Sequence, residues 1–129
     1  MNVLLDTHVL LWTLADSRKL SPAAVRVYQN PGNVIYVSAA SFWEIGIKIS
    51  LGKLSLHTAN WTGELGKELE LNGIRWLPIE LAHCALVATL PFHHRDPFDR
   101  LLVAQALHEG MALMTADAAL AAYEIKVVW

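Results

Sequence analysis

Cysteine and charged residues are both scarce in this chain. Cys84 is the single cysteine, so an internal disulfide is excluded and a reducing cytoplasm is the expected location. Charged residues make up 17% of the 129 positions, against about 25% in an average soluble domain. The formal net charge is −2, which argues against a broad basic surface for binding nucleic acid.

Long hydrophobic runs are also missing. The longest stretch without a charged residue spans 27–43, and polar residues such as Asn33 and Ser41 interrupt it. A membrane span needs 18 or more mainly apolar residues, so we expect no membrane association. Asp6 lies in the first apolar run with no basic segment before it, which is not typical of a secretory signal.

No repeat, low-complexity stretch or linker divides the sequence, and its length suits one domain covering residues 1–129. The apolar fraction is 54%, more than a small core with this few charges should need. We therefore expect some apolar surface to be buried against another chain, most simply in a homodimer.

Short apolar segments alternate with longer segments of helical periodicity. Predicted strands cover residues 2–5, 34–37, 74–77, 111–114 and 126–128; predicted helices cover 8–14, 22–30, from Ser38 or Ser41 to about 51, 61–71, 80–90, 96–109 and 118–123. The strands are mainly apolar instead of alternating between apolar and polar residues, which indicates burial on both faces. The pattern predicts an α/β domain with a mostly parallel, five-stranded sheet and helices on both sides.

Four acidic residues from separate segments are directed to one edge of this sheet. Asp6 and Asp117 follow predicted strands, Glu44 lies early in the helix after the second strand, and Asp99 lies in the first turn of the helix before the fourth. Ligand sites of parallel sheets lie beyond the carboxyl ends of the strands. Clustered carboxylates repel unless a cation is present, and oxygen ligands favour Mg²⁺ or Mn²⁺.

Each of these acids also has a structural interpretation. Ser41 and Glu44 match a capping box, and Glu44 is four residues before Lys48, a spacing that allows an ion pair. Asp96 precedes a proline and is better explained as a helix N-cap, while Asp117 could cap the short helix that follows it. The metal hypothesis depends on all four acids converging.

Three other patterns have simpler explanations. Gly46 and Gly52 suggest a phosphate loop, but the spacing is wrong and Leu54 replaces the required hydroxyl. The six histidines show no zinc-binding spacing and are expected at the surface or as caps. Trp12 and Trp43 have helical core spacing, so simple packing is the preferred interpretation of both.

Four segments together resemble the PIN-domain ribonucleases, and in particular the VapC-like toxins of bacterial type II toxin–antitoxin systems. They are LLDTHVLLW at residues 4–12, SAASFWEIGIK at 38–48 followed by LGKL at 51–54, HHRDPFDRLLVAQA at 93–106, and LMTAD at 113–117. The resemblance covers nearly the whole chain. It implies a sheet of strand order 3-2-1-4-5, a Mg²⁺ or Mn²⁺ site, RNA cleavage by metal-activated water, and inhibition by a cognate antitoxin protein.

The resemblance also implies residue roles. Its acidic quartet falls on Asp6, Glu44, Asp99 and Asp117. Lys48, Arg95 and Arg100 flank these acids in sequence and are therefore candidates for phosphate contacts, while Asp96 and Thr115 are candidates for supporting roles. Metal bound to the quartet would offset its negative charge, which weakens the objection to nucleic acid drawn from the net charge.

Two alternatives remain open from the sequence. A receiver-like regulatory domain also places acids at strand ends around Mg²⁺, but it usually has a second acid beside the first and a lysine at the end of a later strand. Here Thr7 follows Asp6, and Lys126 begins the last predicted strand. The other alternative is a PIN domain that binds RNA or a partner protein without cutting.

Overall fold

The computed structural model describes residues 1–129. Its strands are β1 (Asn2–Leu5), β2 (Val34–Ser38), β3 (Arg75–Leu77), β4 (Ala112–Met114) and β5 (Val127–Val128). Its α-helices are α1 (Thr7–Ala15), α2 (Pro22–Gln29), α3 (Ala39–Ser50), α4 (Trp61–Leu71), α5 (Leu81–Val87) and α6 (Pro97–Glu109), and two short 3₁₀ helices cover Ser17–Lys19 and Ala118–Tyr123. No helix has the length and apolar character that crossing a bilayer requires.

The five strands form one sheet in the order β3-β2-β1-β4-β5, and every pairing is parallel. The predicted fold class and strand order are therefore confirmed. Leu5 of β1 pairs with Val37 on one side and Met114 on the other. The next residues, Asp6, Ser38 and Thr115, therefore lie together at the carboxyl edge of the sheet.

Helices cover both faces of the sheet, and each face has its own core. Along β1, Val3 and Leu5 point into one core and Leu4 into the other. The first core is completed by side chains of α1 to α4, and the second mainly by α6. Burial on both faces explains why the central strands β1, β2 and β4 are mainly apolar.

Helix caps set where the functional helices begin. The Ser38 hydroxyl accepts the Ala40 N–H at 3.0 Å, so α3 starts at Ala39. Ser41 is consequently inside the first turn, and the predicted capping box of Ser41 and Glu44 is wrong. The Asp96 carboxylate caps α6 as predicted, accepting the N–H groups that follow it.

The two tryptophans differ from each other in their surroundings. Trp12 is half-buried and packs against the first core, as expected. Trp43 is 65% exposed, so its predicted role in simple core packing is wrong. It contacts Phe98 edge to face, with 5.4 Å between the ring centroids.

Removing the cap of α6 should destabilise the domain. In Asp96→Ala the N–H groups of Phe98 and Asp99 lose their acceptor, and we expect a loss of roughly 0.5–2 kcal/mol in the free energy of unfolding. Asp96→Asn should be nearly neutral because asparagine caps equally well. Urea unfolding measures both. Asn60→Ala is the matched control, since Asn60 occupies the N-cap of α4 without a side-chain hydrogen bond.

Candidate metal centre

A cavity of about 590 Å³ lies at the carboxyl edge of the sheet. Its lining includes five carboxylates, namely Asp6, Glu44, Asp96, Asp99 and Asp117. They reach it from the end of β1, from α3, from the start of α6 and from the segment after β4. The structure thus brings the four predicted acids together, with Asp96 beside them.

Asp6 is held by hydrogen bonds to both carboxylate oxygens. Oδ1 accepts the His8 N–H at 3.0 Å and caps α1, while Oδ2 accepts the Thr115 hydroxyl at 2.7 Å. Thr115 is fully buried and follows β4 directly, so its supporting role has a clear geometric basis. Each carboxylate oxygen keeps a lone pair for a further ligand.

Glu44 is buried and is also held at both oxygens. Oε1 accepts the Thr7 hydroxyl at 2.7 Å, and Oε2 lies 2.9 Å from Lys48 Nζ. The predicted ion pair with Lys48 is therefore present. Thr7 was missed in the sequence analysis, although its position directly after Asp6 was a usable signal. Its own hydroxyl lies 2.9 Å from that of Ser41.

Asp99 is the acid with the greatest electrostatic strain. Burial, together with the neighbouring charges of Asp6 and Asp96, raises the pKa of its carboxyl to about 7, while His94 opposes the rise. Asp99 also lies in the first turn of α6, where the helix dipole favours a negative charge. Burial and repulsion outweigh that benefit, so a cation in the cavity would relieve Asp99.

His94 joins two of the acids and was not anticipated. Its Nε2 lies 3.0 Å from Asp117 Oδ2 and 3.5 Å from Asp99 Oδ2. Its Nδ1 accepts the Asp96 N–H at 3.1 Å, so the proton of the neutral ring is on Nε2 and faces the carboxylates. The sequence signal for a role of His94 in the site was its position two residues before Asp96. The spacing of the histidines excludes a zinc site but says nothing about hydrogen bonds to the acids.

Asp117 has both roles considered for it. Its Oδ1 accepts the Ala119 N–H at 3.0 Å and caps the 3₁₀ helix, while Oδ2 faces His94. The Asp117 N–H is donated to the Thr115 hydroxyl at 3.1 Å. One threonine therefore connects the two acids that follow β1 and β4.

The expected phosphate contact of Arg100 is wrong. Arg100 is only 6% exposed. Its guanidinium donates to the carbonyls of Pro91, Val87 and Leu90 and to the Tyr123 hydroxyl. These bonds hold the loop before α6 and use the donors internally. Arg100 follows Asp99 on a helix, and successive helical side chains point about 100° apart.

The other cations are placed differently. Arg95 is exposed but does not line the cavity, so its substrate role stays a prediction. Lys48 lines the cavity while paired with Glu44. Lys53 also lines it, is exposed, and has no salt bridge. Lys53 lies in the LGKL segment at residues 51–54, but no role was predicted for it from the sequence.

The donor set suits a hard divalent cation. The acids offer carboxylate oxygens and no thiolate, and single donor atoms of His94, Asp99 and Asp117 lie within 4.8 Å of one another. Oxygen-rich sets of this kind bind Mg²⁺ and Mn²⁺. Of the four predicted acids, Asp99 and Asp117 belong to this close group, and Asp6 and Glu44 line the same cavity.

The fold and site define a single parallel α/β domain with a carboxylate cluster at the sheet edge, and sequence comparison agrees. The PIN domain family model matches residues 3–126. Ribonuclease VapC22 of Mycobacterium tuberculosis (strain ATCC 25618 / H37Rv) is 30% identical over 117 residues, covering 89% of this chain and 86% of the relative. The chain belongs to the PIN-domain family, which confirms the resemblance seen in its motifs.

Solved structures show the same fold. VapBC2 of Rickettsia felis, bound to a promoter DNA fragment, matches with a TM-score of 0.71 at 12% identity, covering 98% of this chain and 97% of that chain. VapBC-1 of nontypeable Haemophilus influenzae matches with a TM-score of 0.71 at 17% identity, covering 98% and 96%. FitAcB of Neisseria gonorrhoeae matches with a TM-score of 0.64 at 20% identity, covering 97% and 95%.

The raised pKa of Asp99 predicts how stability depends on pH. Without metal, folded Asp99 keeps its proton up to about pH 7, whereas the unfolded side chain loses it near 3.8. The free energy of unfolding should therefore fall as pH rises from about 4 to about 7. Asp99→Asn removes this contribution, so its stability relative to wild type should be unchanged near pH 4 and should increase towards pH 7.

Chemical denaturation in EDTA at several pH values measures this difference. Asp16→Asn is the control, because Arg18 lowers the pKa of that exposed carboxyl and its substitution should bring no advantage at pH 7. A stability difference between Asp99→Asn and wild type that stays constant from pH 4 to pH 7 would contradict the assignment.

Proposed function

We propose that this protein is the ribonuclease toxin of a type II toxin–antitoxin pair and that it hydrolyses RNA with the help of Mg²⁺ or Mn²⁺. The observation that carries the proposal is the convergence of Asp6, Glu44, Asp99 and Asp117 on one cavity of a PIN domain. The 30% identity to a protein named as a ribonuclease supports the same activity.

The metal would be held by these four acids. When bound, such an ion lowers the pKa of a water molecule and offsets charge that builds up on the phosphate. The chain's own groups keep the acids in place beforehand. Thr115 and the His8 N–H orient Asp6, while Thr7 and Lys48 orient Glu44. Ligands fixed by such outer contacts lose little freedom when the site is filled.

His94 orients Asp117 in the same manner. Its Nε2–H donates to Asp117 Oδ2, and the backbone of His94 is itself held, because its N–H is donated to the Tyr123 hydroxyl at 2.8 Å. The Arg100 guanidinium donates to that same hydroxyl at 3.1 Å. Arg100 therefore stabilises the position of Asp117 indirectly, through Tyr123 and His94, and its guanidinium is not available to contact the substrate.

The proposed nucleophile is water. Its oxygen forms a bond to phosphorus, the bond from phosphorus to the 3′ oxygen breaks, and a proton passes to that 3′ oxygen. The products then carry 5′-phosphate and 3′-hydroxyl ends, which distinguishes this reaction from attack by a 2′-hydroxyl. Analysis of the product ends reads out the proposed chemistry directly.

Membership of the PIN family excludes one of the two alternatives that the sequence left open and keeps the other. The receiver-like interpretation is displaced by the family match over residues 3–126. Lys126 precedes β5, at the opposite edge of the sheet from the acids, so the lysine of that interpretation is also out of place. A PIN domain that binds RNA without cutting is the remaining alternative, and measurement of cleavage separates it from an enzyme.

Substitution of the two acids at the start of α6 tests the enzyme assignment. Asp99→Asn removes a negative metal ligand and should lower metal-dependent RNA cleavage by a factor of about 100 or more while the fold is kept. Asp96→Asn retains the cap and should keep most of the activity. Timed degradation of total RNA with and without Mn²⁺ measures both variants. Loss of cleavage in Asp96→Asn alone would move the metal site to Asp96.

The proposed partners are a cognate antitoxin and a second copy of this chain, in a cytoplasmic setting. Exposed apolar residues support burial against other chains, namely Leu81 at 89%, Phe92 at 82%, Leu71 at 79% and Trp43 at 65%. The helix α5 contributes Leu81, the most exposed of these residues, and His83 is its only buried residue.

A homodimer predicts a particle of twice the 14.3 kDa chain mass in sedimentation at tens of micromolar. Leu81→Glu places a charge on the exposed face of α5 and should shift the equilibrium towards monomer. Glu64→Gln, on exposed α4, is a control that should leave the mass unchanged. A wild-type protein that stays monomeric at this concentration would contradict the proposal.

A further inference from the structure

The cavity has a second kind of wall that the acidic residues do not explain. Besides the five carboxylates, its lining includes the aromatic side chains of His8, Trp12 and Phe98 and the ammonium groups of Lys48 and Lys53. A metal site alone needs neither an aromatic surface nor a free cation. These side chains suit a substrate group that has both a planar ring and a negative charge.

Trp12 is fixed in place by its neighbours. Its ring centroid lies 5.7 Å from that of Trp129 and 6.0 Å from that of His8, both tilted, and Lys19 Nζ lies 5.9 Å from the ring. The ring is half-buried but still lines the cavity. An aromatic surface held this way can receive another planar group with little further loss of side-chain freedom.

Lys53 is placed by the end of α3. Gly52 adopts a left-handed conformation with φ of 70°, its N–H is donated to the Ile49 carbonyl, and the Lys53 N–H is donated to the Lys48 carbonyl at 2.9 Å. These two hydrogen bonds end the helix and reverse the direction of the chain, so that Lys53 borders the cavity. Only glycine adopts this φ without strain.

The charges of the two lysines differ in availability. Lys48 is neutralised by Glu44 at 2.9 Å, whereas Lys53 has no carboxylate within salt-bridge distance. The remaining lining is strongly acidic, so an anionic strand is attracted to the Lys53 side of the cavity and repelled elsewhere until metal is bound. Lys53 is therefore the lysine of this cavity whose charge is available to a phosphate group.

We propose that this wall is a binding site for one unpaired nucleotide of the RNA strand, next to the phosphate that is cut. Its base stacks on Trp12 and its phosphate pairs with Lys53. Stacking on aromatic side chains beside a basic residue is the general way in which proteins hold single strands, and a base inside a duplex cannot offer its face. The inference rests on the proposed function, because it assumes that RNA reaches the acidic residues.

The first test measures the binding of a fluorescein-labelled 12-nucleotide oligouridine by fluorescence anisotropy. Proteins with the wild-type Asp99 are measured in EDTA, and proteins that also carry Asp99→Asn are measured with Mg²⁺. Trp12→Leu keeps apolar volume against Trp129 but lacks a planar ring, and should raise Kd about tenfold. Trp12→Phe should restore most of the affinity. Phe92→Leu is the control, since Phe92 is 82% exposed and does not line the cavity.

A double-mutant cycle separates stacking from shape. The oligonucleotide is first shortened to the smallest length that still binds, so that it has a single register, and is then made with one base removed at each position in turn. In protein with Trp12, one position should be sensitive to base removal by about tenfold, and in Trp12→Leu that sensitivity should disappear. An identical profile in both proteins would overturn the inference and show that Trp12 only packs, and thermal unfolding of each variant shows that the comparison is between folded proteins.

The phosphate contact has its own signature. Lys53→Gln should reduce the slope of log Kd against log salt concentration by about 0.7, the value for one phosphate of a single strand, whereas Trp12→Leu should not change the slope. Lys67→Gln, on the exposed side of α4, is the matched control. An unchanged slope in Lys53→Gln would overturn the assignment of Lys53.

The outcomes for this site and for the proposed function are distinguishable. Binding reports on the nucleotide site, and cleavage by the wild-type protein reports on the enzyme. Coupling between Trp12 and one base without any cleavage would support the site and contradict the ribonuclease. Cleavage with equal RNA affinity in wild type and Trp12→Leu would contradict the site alone and leave this wall available to a protein segment.

Discussion

Mutual repulsion among buried carboxylates is the constraint on which the rest of this structure depends. Asp6 and Glu44 are each about 8% exposed and share a cavity with three more acids. Most of them have a local compensation: Thr115 for Asp6, Lys48 for Glu44, and His94 for Asp117. Asp99 has only a longer contact to His94, and its raised pKa shows that compensation is incomplete. Because the negative charge of Asp99 is incompletely compensated, a cation in the cavity would be favourable.

The sheet is what brings these acids together. Asp6 and Thr115 are more than a hundred residues apart in sequence, yet they lie side by side because β1 and β4 are parallel neighbours that pair Leu5 with Met114. Parallel pairing requires a long crossover connection, here supplied by helices, and the helices on both faces bury most of the central strands β1, β2 and β4. The apolar cores therefore set the register, and the register sets the distances between polar groups at the edge.

The sequence predicted the parts of this arrangement that depend on local patterns. Strand order followed from the family resemblance, while the cap at Asp96 and the end of α6 at Glu109 followed from helix-end signals, and the structure has all of them. Thr7 and His94 were missed because their importance comes from partners on other segments. Arg100 was wrongly assigned because adjacency in sequence was taken as adjacency in space, which a helix does not provide.

The start of α6 shows how a structural and a functional acid can depend on each other. Asp96 Oδ1 accepts the N–H groups of Phe98 at 2.8 Å and of Asp99 at 3.1 Å, so it fixes the backbone that carries the Asp99 side chain. The same negative charge raises the pKa of the Asp99 carboxyl. The cap thus places Asp99 in the cavity and increases the energetic cost of its ionised form there. Because a bound cation would remove that cost, the residue that builds the helix would also strengthen metal binding at the proposed site.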